Sequence, residues 1–268
     1  MRGSEALRGG TRRFRALISA GAMTLAACGA RAGETRCWLD KGAVVVPAAF
    51  GDIAGDFVLD LTRPVSALHD TRANMNGLTG ESATAILSVA GVSFGRTTLP
   101  IIDLDAQTAR FDTTINGVLG ADIARGKVLT LDFRGGGCRF VLGARRPASR
   151  RRTVSLPLTW IAGIPVAPAI ISDGVKARSG LFALGTARAA SVISAARLSR
   201  PAKAGDPIRL RALELGGQLF EQTPAETPSE ISAGPAARIA GDIGTFVLAR
   251  GQLILDARNG VLKIEAAP

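Results

Sequence analysis

A short sequence pattern occurs twice in this chain and constrains its architecture more than any other feature. Residues 55–60 read Gly-Asp-Phe-Val-Leu-Asp, and residues 180–185 read Gly-Leu-Phe-Ala-Leu-Gly. Each copy alternates apolar residues as a half-buried strand does. Each is followed, at the same distance, by a serine and two apolar residues that begin at Ser66 and Ser191. The two copies therefore align residue for residue without a gap.

A second repeat follows the first in the same order. Residues 117–123 (Gly-Val-Leu-Gly-Ala-Asp-Ile) precede an Ala-Arg-Gly turn at 124–126. Residues 239–243 (Ile-Ala-Gly-Asp-Ile) precede another Ala-Arg-Gly at 249–251. Two repeats in one order indicate an internal duplication of roughly 110–125 residues, far longer than a solenoid repeat. The chain is therefore predicted to fold as two homologous lobes.

Composition favours strands over helices for these lobes. The chain has 268 residues, is 47% hydrophobic, and contains 32 Gly but no Tyr. Its core must be built from Val, Ile, Leu and Ala, and short strands separated by glycine suit that composition. We predict an all-β fold with lobes at 33–143 and 154–268. An arginine-rich linker at 144–153 is expected to join them.

The first 32 residues have the pattern of an export signal rather than of a folded segment. Arginines precede an apolar run at 16–27, which is too short to span a bilayer permanently. The run ends in Leu-Ala-Ala-Cys at 25–28, which resembles a bacterial lipobox and implies lipid attachment at Cys28. Cleavage after Ala-Arg-Ala at 30–32 is the alternative. Either route predicts an exported, periplasmic protein, and the lipobox adds a membrane anchor.

Cysteine use and charge exclude several kinds of site. If Cys28 is lipidated or removed, Cys37 and Cys138 remain as a pair in an oxidising compartment and are predicted to form a disulfide. A single histidine and no Cys-x-x-Cys pattern predict no metal site and no cofactor. His69, beside Asp70, is interpreted as a surface residue. The net charge is +11, but the basic residues are not interleaved with aromatic ones as they are in many nucleic-acid-binding proteins. Export also argues against nucleic acid as a partner.

The repeated motifs resemble those of the aspartic proteases, in particular the bacterial retropepsin-like group, with two lobes arranged as in pepsin. Residues 57–60 (Phe-Val-Leu-Asp) match the family's catalytic strand, and residues 116–120 (Asn-Gly-Val-Leu-Gly) match its apolar-apolar-Gly segment. Residues 240–243 and the turn at 256–260 look like the closing segment of a pepsin C-terminal lobe. The resemblance implies two homologous six-stranded β-barrels with a cleft between them.

The family's active site is Asp-Thr/Ser-Gly contributed once by each lobe. Two carboxylates about 3 Å apart share one proton, so one acts as a base on water and the other as an acid. Here residues 60–62 read Asp-Leu-Thr, and residues 185–187 read Gly-Thr-Ala. The resemblance makes Asp60 the candidate catalytic residue and leaves it without a partner at position 185. The cleft and turn residues are predicted to be Thr62, Ser66, Gly185, Thr186 and Ser191.

Two further expectations concern geometry, and two concern the roles of carboxylates. Asp60 and Gly185 should face each other across a pseudo-two-fold axis at the cleft. A flap that closes over a ligand would lie at residues 76–84, with Gly77 and Gly80 at its tip. Asp60 has an alternative reading as a strand-end carboxylate that bonds nearby backbone amides. The remaining carboxylates of the motifs are interpreted as turn residues: Asp132, Asp242 and Asp256.

Three functions remain open on these observations. The first is an exported pseudo-peptidase that binds a peptide or protein in the interlobe cleft. The second is an active aspartic peptidase in which Asp60 pairs with a carboxylate from a second chain. The third is an envelope lipoprotein that acts as a scaffold and does not use its cleft.

Overall fold

The computed structural model describes residues 33–143, 153–200, 202–228 and 237–266. The predicted export signal with Cys28 lies outside the described residues, as does the predicted linker apart from residue 153. No helix in the described part of the chain is long and apolar enough to cross a membrane.

The first lobe is built almost wholly from strands. Its strands are β1 (Glu34–Asp40), β2 (Ala43–Phe50), β3 (Ile53–Leu59), β4 (Ala67–His69), β5 (Ser82–Val89), β6 (Val92–Ile102), β7 (Ile115–Leu119), β8 (Val128–Asp132) and β9 (Cys138–Gly143). Its helices are short: α1 (Asp70–Met75), α2 (Asp105–Thr108) and two single 3₁₀ turns, Ala121–Ala124 and Arg134–Gly136.

The second lobe repeats this plan. Its strands are β10 (Val154–Pro157), β11 (Thr159–Ile161), β12 (Ile164–Ser172), β13 (Ala177–Gly185), β14 (Ser191–Ile193), β15 (Pro207–Leu215), β16 (Gln218–Glu226), β17 (Ile239–Gly244), β18 (Gly251–Asp256) and β19 (Val261–Ala266). A 3₁₀ turn at Ala195–Arg197 and the helix α3 (Thr245–Leu248) complete it.

Each lobe contains a closed six-stranded barrel with the same strand order. The first runs β2-β3-β7-β4-β6-β5 and closes through pairing of β2 with β5. The second runs β12-β13-β17-β14-β16-β15 and closes through pairing of β12 with β15. Within each barrel the two repeated motifs are parallel neighbours, β3 beside β7 and β13 beside β17. The predicted all-β fold of two homologous barrels is confirmed.

Six of the seven remaining strands form a sheet that the two lobes share, and the seventh, β11, pairs with β12. The order of the shared sheet is β10-β19-β18-β8-β9-β1, and β18 of the second lobe pairs antiparallel with β8 of the first. This sheet joins the lobes into one hydrogen-bonded unit. It therefore fixes the position of one barrel relative to the other and shapes the cleft between them.

The barrel interiors are filled by equivalent residues of the repeats. Phe57 and Phe182 are fully buried at the same position of the two copies, as are Leu59 and Leu184. Fully burying a large apolar side chain contributes about 1.5–3 kcal/mol, so each repeat stabilises its own barrel in the same way.

One disulfide links the two strands at the edge of the shared sheet. Cys37 in β1 and Cys138 in β9 are bonded and lie directly opposite each other in the antiparallel register. The bond closes a segment of the first lobe with a sequence separation of 101 residues.

Two of the three carboxylates predicted as turn residues do bond a turn. Asp132 accepts from the Arg134 N–H at 3.2 Å, and Asp256 accepts from the Asn259 N–H at 3.1 Å. Asp132 is also buried under Arg134 and Arg139. Burial alone would raise its pKa, but hydrogen bonds from both guanidinium groups hold the pKa well below its ordinary value.

Candidate active-site cleft

The turns that follow Asp60 and Gly185 are held in place by the same hydrogen bond. In the first lobe the Gly120 N–H donates to Ser66 Oγ at 2.9 Å. In the second lobe the Gly244 N–H donates to Ser191 Oγ at 3.0 Å. Both serines are completely buried, so each hydroxyl supplies the acceptor that a buried N–H needs. The two serines identified by the repeat therefore have the same structural role, which is to accept the hydrogen bond of a buried glycine N–H.

The two turns also meet across the lobes. The Leu61 N–H donates to Thr186 Oγ1 at 3.0 Å, and the Thr186 carbonyl accepts from the Val44 N–H at 2.8 Å. Leu61 and Thr186 each follow the aligned positions Asp60 and Gly185. This bond brings the two turns together, as the predicted pseudo-two-fold arrangement requires. The reciprocal bond is missing because Leu61 has no hydroxyl group.

Two hairpin turns reinforce this pairing in a symmetric way. A Cβ on Gly163 of the second lobe would lie 2.9 Å from Pro64 Cβ, and Gly42 of the first lobe packs against Ala189. Pro64 and Ala189 lie four residues beyond Asp60 and Gly185. Both glycines have positive φ, 83° for Gly42 and 82° for Gly163. Only glycine fits there easily, since the backbone is left-handed and the opposite lobe is in contact.

We expect Thr186→Val to lower the free energy of unfolding by about 1–3 kcal/mol, because it leaves the buried Leu61 N–H without an acceptor. Thr186→Ser keeps the hydroxyl group and should lose much less. Urea unfolding of the two variants measures the difference. Equal stability of the valine and serine variants would contradict a structural role for this bond.

Asp60 is half-buried at the end of β3 and bonds its own turn. Its Oδ1 accepts from the Thr62 N–H at 3.0 Å and from the Thr62 hydroxyl at 2.5 Å. The Asp60 N–H donates to the Leu119 carbonyl at 2.9 Å. These are the bonds expected of a strand-end carboxylate, and Oδ2 accepts no hydrogen bond from the described residues.

Asp60 lines a cavity of about 390 Å³ that is rich in arginine. Arg63, Arg110 and Arg188 line it as well. Arg110 donates to the Ala187 carbonyl at 2.6 Å and thereby crosses from the first lobe to the second. Asp60 therefore shares this cavity with three guanidinium groups, one of which reaches it from the opposite lobe.

Position 185 has no side chain, but a carboxylate from the neighbouring strand lies beside it. A Cβ on Gly185 would lie 2.7 Å from Asp242 Oδ1. Asp242 was interpreted as a turn residue from sequence, and that interpretation is wrong. It lies within β17, paired with Ala183 and Val192, at the position that Val118 occupies in the first lobe.

Asp242 is a buried carboxyl group with few partners. Only 9% of the residue is exposed, and Oδ1 accepts from the Val192 N–H at 3.1 Å. Burial raises its pKa to about 7, and the negative charges of Asp60 and Glu226 add to that effect. Arg188 and the Val192 bond act in the opposite direction. Near neutral pH the group can therefore exist in either state.

A second cavity, of about 740 Å³, opens onto Asp242. Glu226 and Arg188 also line it and form an ion pair at 3.0 Å. Thr62 reaches it from the first lobe, and Arg188 borders both cavities. Four apolar residues are among those that line it: Ile164, Ala183, Val192 and Ile239. The two cavities thus flank the turn that carries Asp60.

The segment predicted as a flap borders a different cavity. Gly77 and Gly80 line a space of about 350 Å³ together with Phe50 and Ile53. Residues 76–84 line neither of the two cavities beside Asp60 and Asp242. Residues of α2 and of the turn after it instead border the Asp60 cavity: Ala106, Gln107, Thr108, Arg110 and Phe111.

His69 is buried, not on the surface as its sequence context suggested. It is 4% exposed, with Nδ1 3.0 Å from Asp70 Oδ1 and Nε2 3.2 Å from Asp105 Oδ1. These three residues could in principle offer ligands to a metal ion. The two carboxylates contact different ring nitrogens, Asp70 at Nδ1 and Asp105 at Nε2. Because Asp70 begins α1 and Asp105 begins α2, the histidine links the two helices.

Comparison with known proteins bears on the fold. No protein-family model and no curated protein matches the sequence. Among solved structures, the aspartic proteinase from Irpex lacteus matches with a TM-score of 0.54 and 11% identity, over 88% of this chain and 97% of that one. The fold is that of a pepsin-like aspartic proteinase. At this identity the likeness extends to the aspartic-proteinase fold alone.

Sequence reasoning missed three charged residues that line the cavities beside the Asp60 turn: Asp242, Arg110 and Arg188. A signal existed for Asp242, because matching Gly-Val-Leu-Gly at 117–120 with Gly-Asp-Ile-Gly at 241–244 aligns it with the apolar Val118. A charged residue at an apolar strand position is unusual and is either paired or functional. Arg188 lies within the first repeat, between Gly185 and Ser191, whereas Arg110 lies outside both repeats, and only the structure places the two side chains at the cleft.

Proposed function

We propose that this protein binds an extended polypeptide in its interlobe cleft and does not hydrolyse it by the paired-aspartate mechanism. The observation that carries the proposal is the pairing of the Asp60 turn with a turn that has Gly185 at the matching position. The cleft is retained as two cavities of about 390 and 740 Å³ on either side of the Asp60 turn. Its walls combine apolar patches with a few charged groups, as is typical of binding sites.

Asp242 favours a second candidate, a peptidase that uses Asp60 and Asp242 of the same chain. Asp242 Oδ1 lies next to the space that a residue at 185 would fill, and its pKa is raised to about 7. A pair of carboxylates with different protonation states can divide the roles of base and acid. In this candidate Asp60 activates water, and Asp242 protonates the leaving amine. The candidate with a second chain's carboxylate remains a further alternative.

One assay separates these candidates. A pool of fluorescein-labelled ten-residue peptides, randomised at every position, is incubated with residues 33–268 from pH 3 to pH 8. The proposal expects saturable binding by anisotropy and intact peptides by mass spectrometry. Cleavage that Asp60→Ala and Asp242→Asn both abolish would establish the same-chain peptidase. Cleavage that depends on Asp60 alone and on protein concentration would indicate a pair formed across two chains.

Bulky substitutions at the cavity rim test where the peptide binds. Ala196 lines the larger cavity, and Ala106 lines the smaller one. Both are exposed, so tryptophan at either position should fold normally. Each should weaken binding at least about tenfold, since an ordered peptide must give up buried contacts worth about 1.4 kcal/mol or more. Ala54→Trp, at an exposed residue of β3 outside both cavities, is the matched control. Binding that is unaffected by both cleft variants would favour the scaffold function.

The proposal includes export, with lipid attachment at Cys28. The Cys37–Cys138 disulfide supports an oxidising compartment, because such bonds rarely persist in the cytosol. In this setting the cleft would meet peptides of the cell envelope. Recovery of the full-length chain in the cytosolic fraction would contradict it.

A further inference from the structure

We propose that the cavity of the second lobe accepts a lysine side chain of the bound polypeptide, with Asp242 as its counter-ion. The proposal rests on the proposed function, since it names the residue type that the cleft selects. It concerns recognition, and it requires no bond cleavage.

Asp242 has one oxygen available for a ligand. Oδ1 is bonded to the Val192 N–H, whereas Oδ2 has no hydrogen bond or ion pair with the described residues. The residue is more than nine-tenths buried and lines the cavity of about 740 Å³. A buried carboxylate without a full set of partners is costly in free energy, and a cation that enters the cavity removes that cost.

The other charges of the cavity leave Asp242 as the uncompensated group. Arg188 and Glu226 pair with each other at 3.0 Å. Asp242 forms no ion pair with Arg188, although the positive charge of Arg188 is close enough to lower the pKa of Asp242. Among the described residues that line it, the cavity therefore has one carboxylate more than it has cations, which favours a positively charged ligand.

The shape of the cavity favours lysine over arginine. Four apolar residues can cover the methylene chain of a long cationic side chain: Ile164, Ala183, Val192 and Ile239. A lysine ammonium is a point charge that one carboxylate oxygen can satisfy. An arginine guanidinium prefers both oxygens of a carboxylate, and the Val192 N–H already occupies one of them at Asp242.

Recognition of a cation at this site should depend on pH. The groups that act on Asp242 are Arg188 from the turn after β13, Glu226 at the end of β16 and Asp60 from the opposite lobe. Because burial raises the pKa of Asp242 to about 7, the free protein holds a proton there below that pH. A bound ammonium group favours the ionised carboxylate, so binding at pH 6 should release a proton. The affinity for lysine should therefore rise between pH 6 and pH 8.

The experiment compares three fluorescein-labelled peptides that are identical except for a central lysine, norleucine or arginine. At pH 8 we expect lysine to bind about tenfold tighter than norleucine, the ratio that a charge-assisted hydrogen bond supplies. Arginine should fall between them, and the lysine preference should shrink to about twofold or less at pH 5.5. In Asp242→Asn the preference should disappear while the norleucine peptide keeps its affinity. Asp52→Asn, at an exposed turn residue that does not line this cavity, is the matched control and should keep the full preference for lysine.

A small probe separates this proposal from the function on which it rests. n-Butylammonium has the charge and stem of lysine, and its effect on the Asp242 carboxyl carbon can be followed by NMR. The proposal expects a saturable shift of the Asp242 titration to lower pH. A response to butylammonium without peptide binding would overturn the peptide function and keep the pocket. An unshifted titration, or a lysine preference that survives in Asp242→Asn, would overturn the pocket.

Discussion

Asp242→Asn will stabilise the protein by about 2–4 kcal/mol above pH 7 and leave its stability nearly unchanged below pH 4. The pKa of Asp242 rises from 3.8 to about 7 on folding, mainly through burial. A raised pKa means that the folded state holds the proton more tightly than the unfolded state, so ionisation opposes folding. The penalty grows from about pH 4 to pH 7 and is constant above, with an upper limit of about 4 kcal/mol. Asparagine remains neutral and still accepts the Val192 bond.

Urea unfolding at pH 4, 5.5, 7 and 8.5 measures this effect. The difference between variant and parent should increase with pH and level off above pH 7. Asp52→Asn, at an exposed turn residue, is the matched control and should show no such trend. A variant that is destabilised equally at every pH would show that Asp242 serves the fold. A carboxylate that costs stability where it lies is typical of a functional site.

Loss of the disulfide is the second large effect. Replacing Cys37 and Cys138 together with alanine should lower the free energy of unfolding by about 4 kcal/mol, within a range of about 2–5. The bond closes a segment with a sequence separation of 101 residues, and long closed loops restrict the unfolded chain most. The two cysteines face each other in the register of β1 and β9, so the folded strands should keep their pairing in the variant.

Denaturant unfolding with and without a reducing agent tests this result. Reduction should destabilise the parent by the same amount and leave the double variant unchanged. Either single variant should behave like the double variant. A parent whose stability does not respond to reduction would show that the disulfide contributes nothing to the free energy of unfolding.

The sequence determined the architecture of each lobe. The repeated pattern around Phe57 and Phe182 specifies one barrel strand in each lobe, because alternating residues alone decide which face of a strand is buried. The same alignment predicts that Ser66 and Ser191 are equivalent, and the structure shows both accepting the same hydrogen bond. The alignment of the two copies also shows directly that Gly185 occupies the position equivalent to Asp60. These features depend on residues near one another in the chain or on the comparison of two copies.

Only the tertiary structure decided what surrounds Asp60. The bond from Leu61 to Thr186 spans 125 positions, and the pairing of β8 with β18 joins segments from different lobes. Arg110 and Arg188 reach the cleft only because the lobes are packed in this way. Asp242 becomes a cleft residue with a raised pKa because β13 and β14 bury it beside Gly185. The surroundings of Asp242 and the field of distant charges depend on how the whole chain is packed, which the local sequence pattern does not specify.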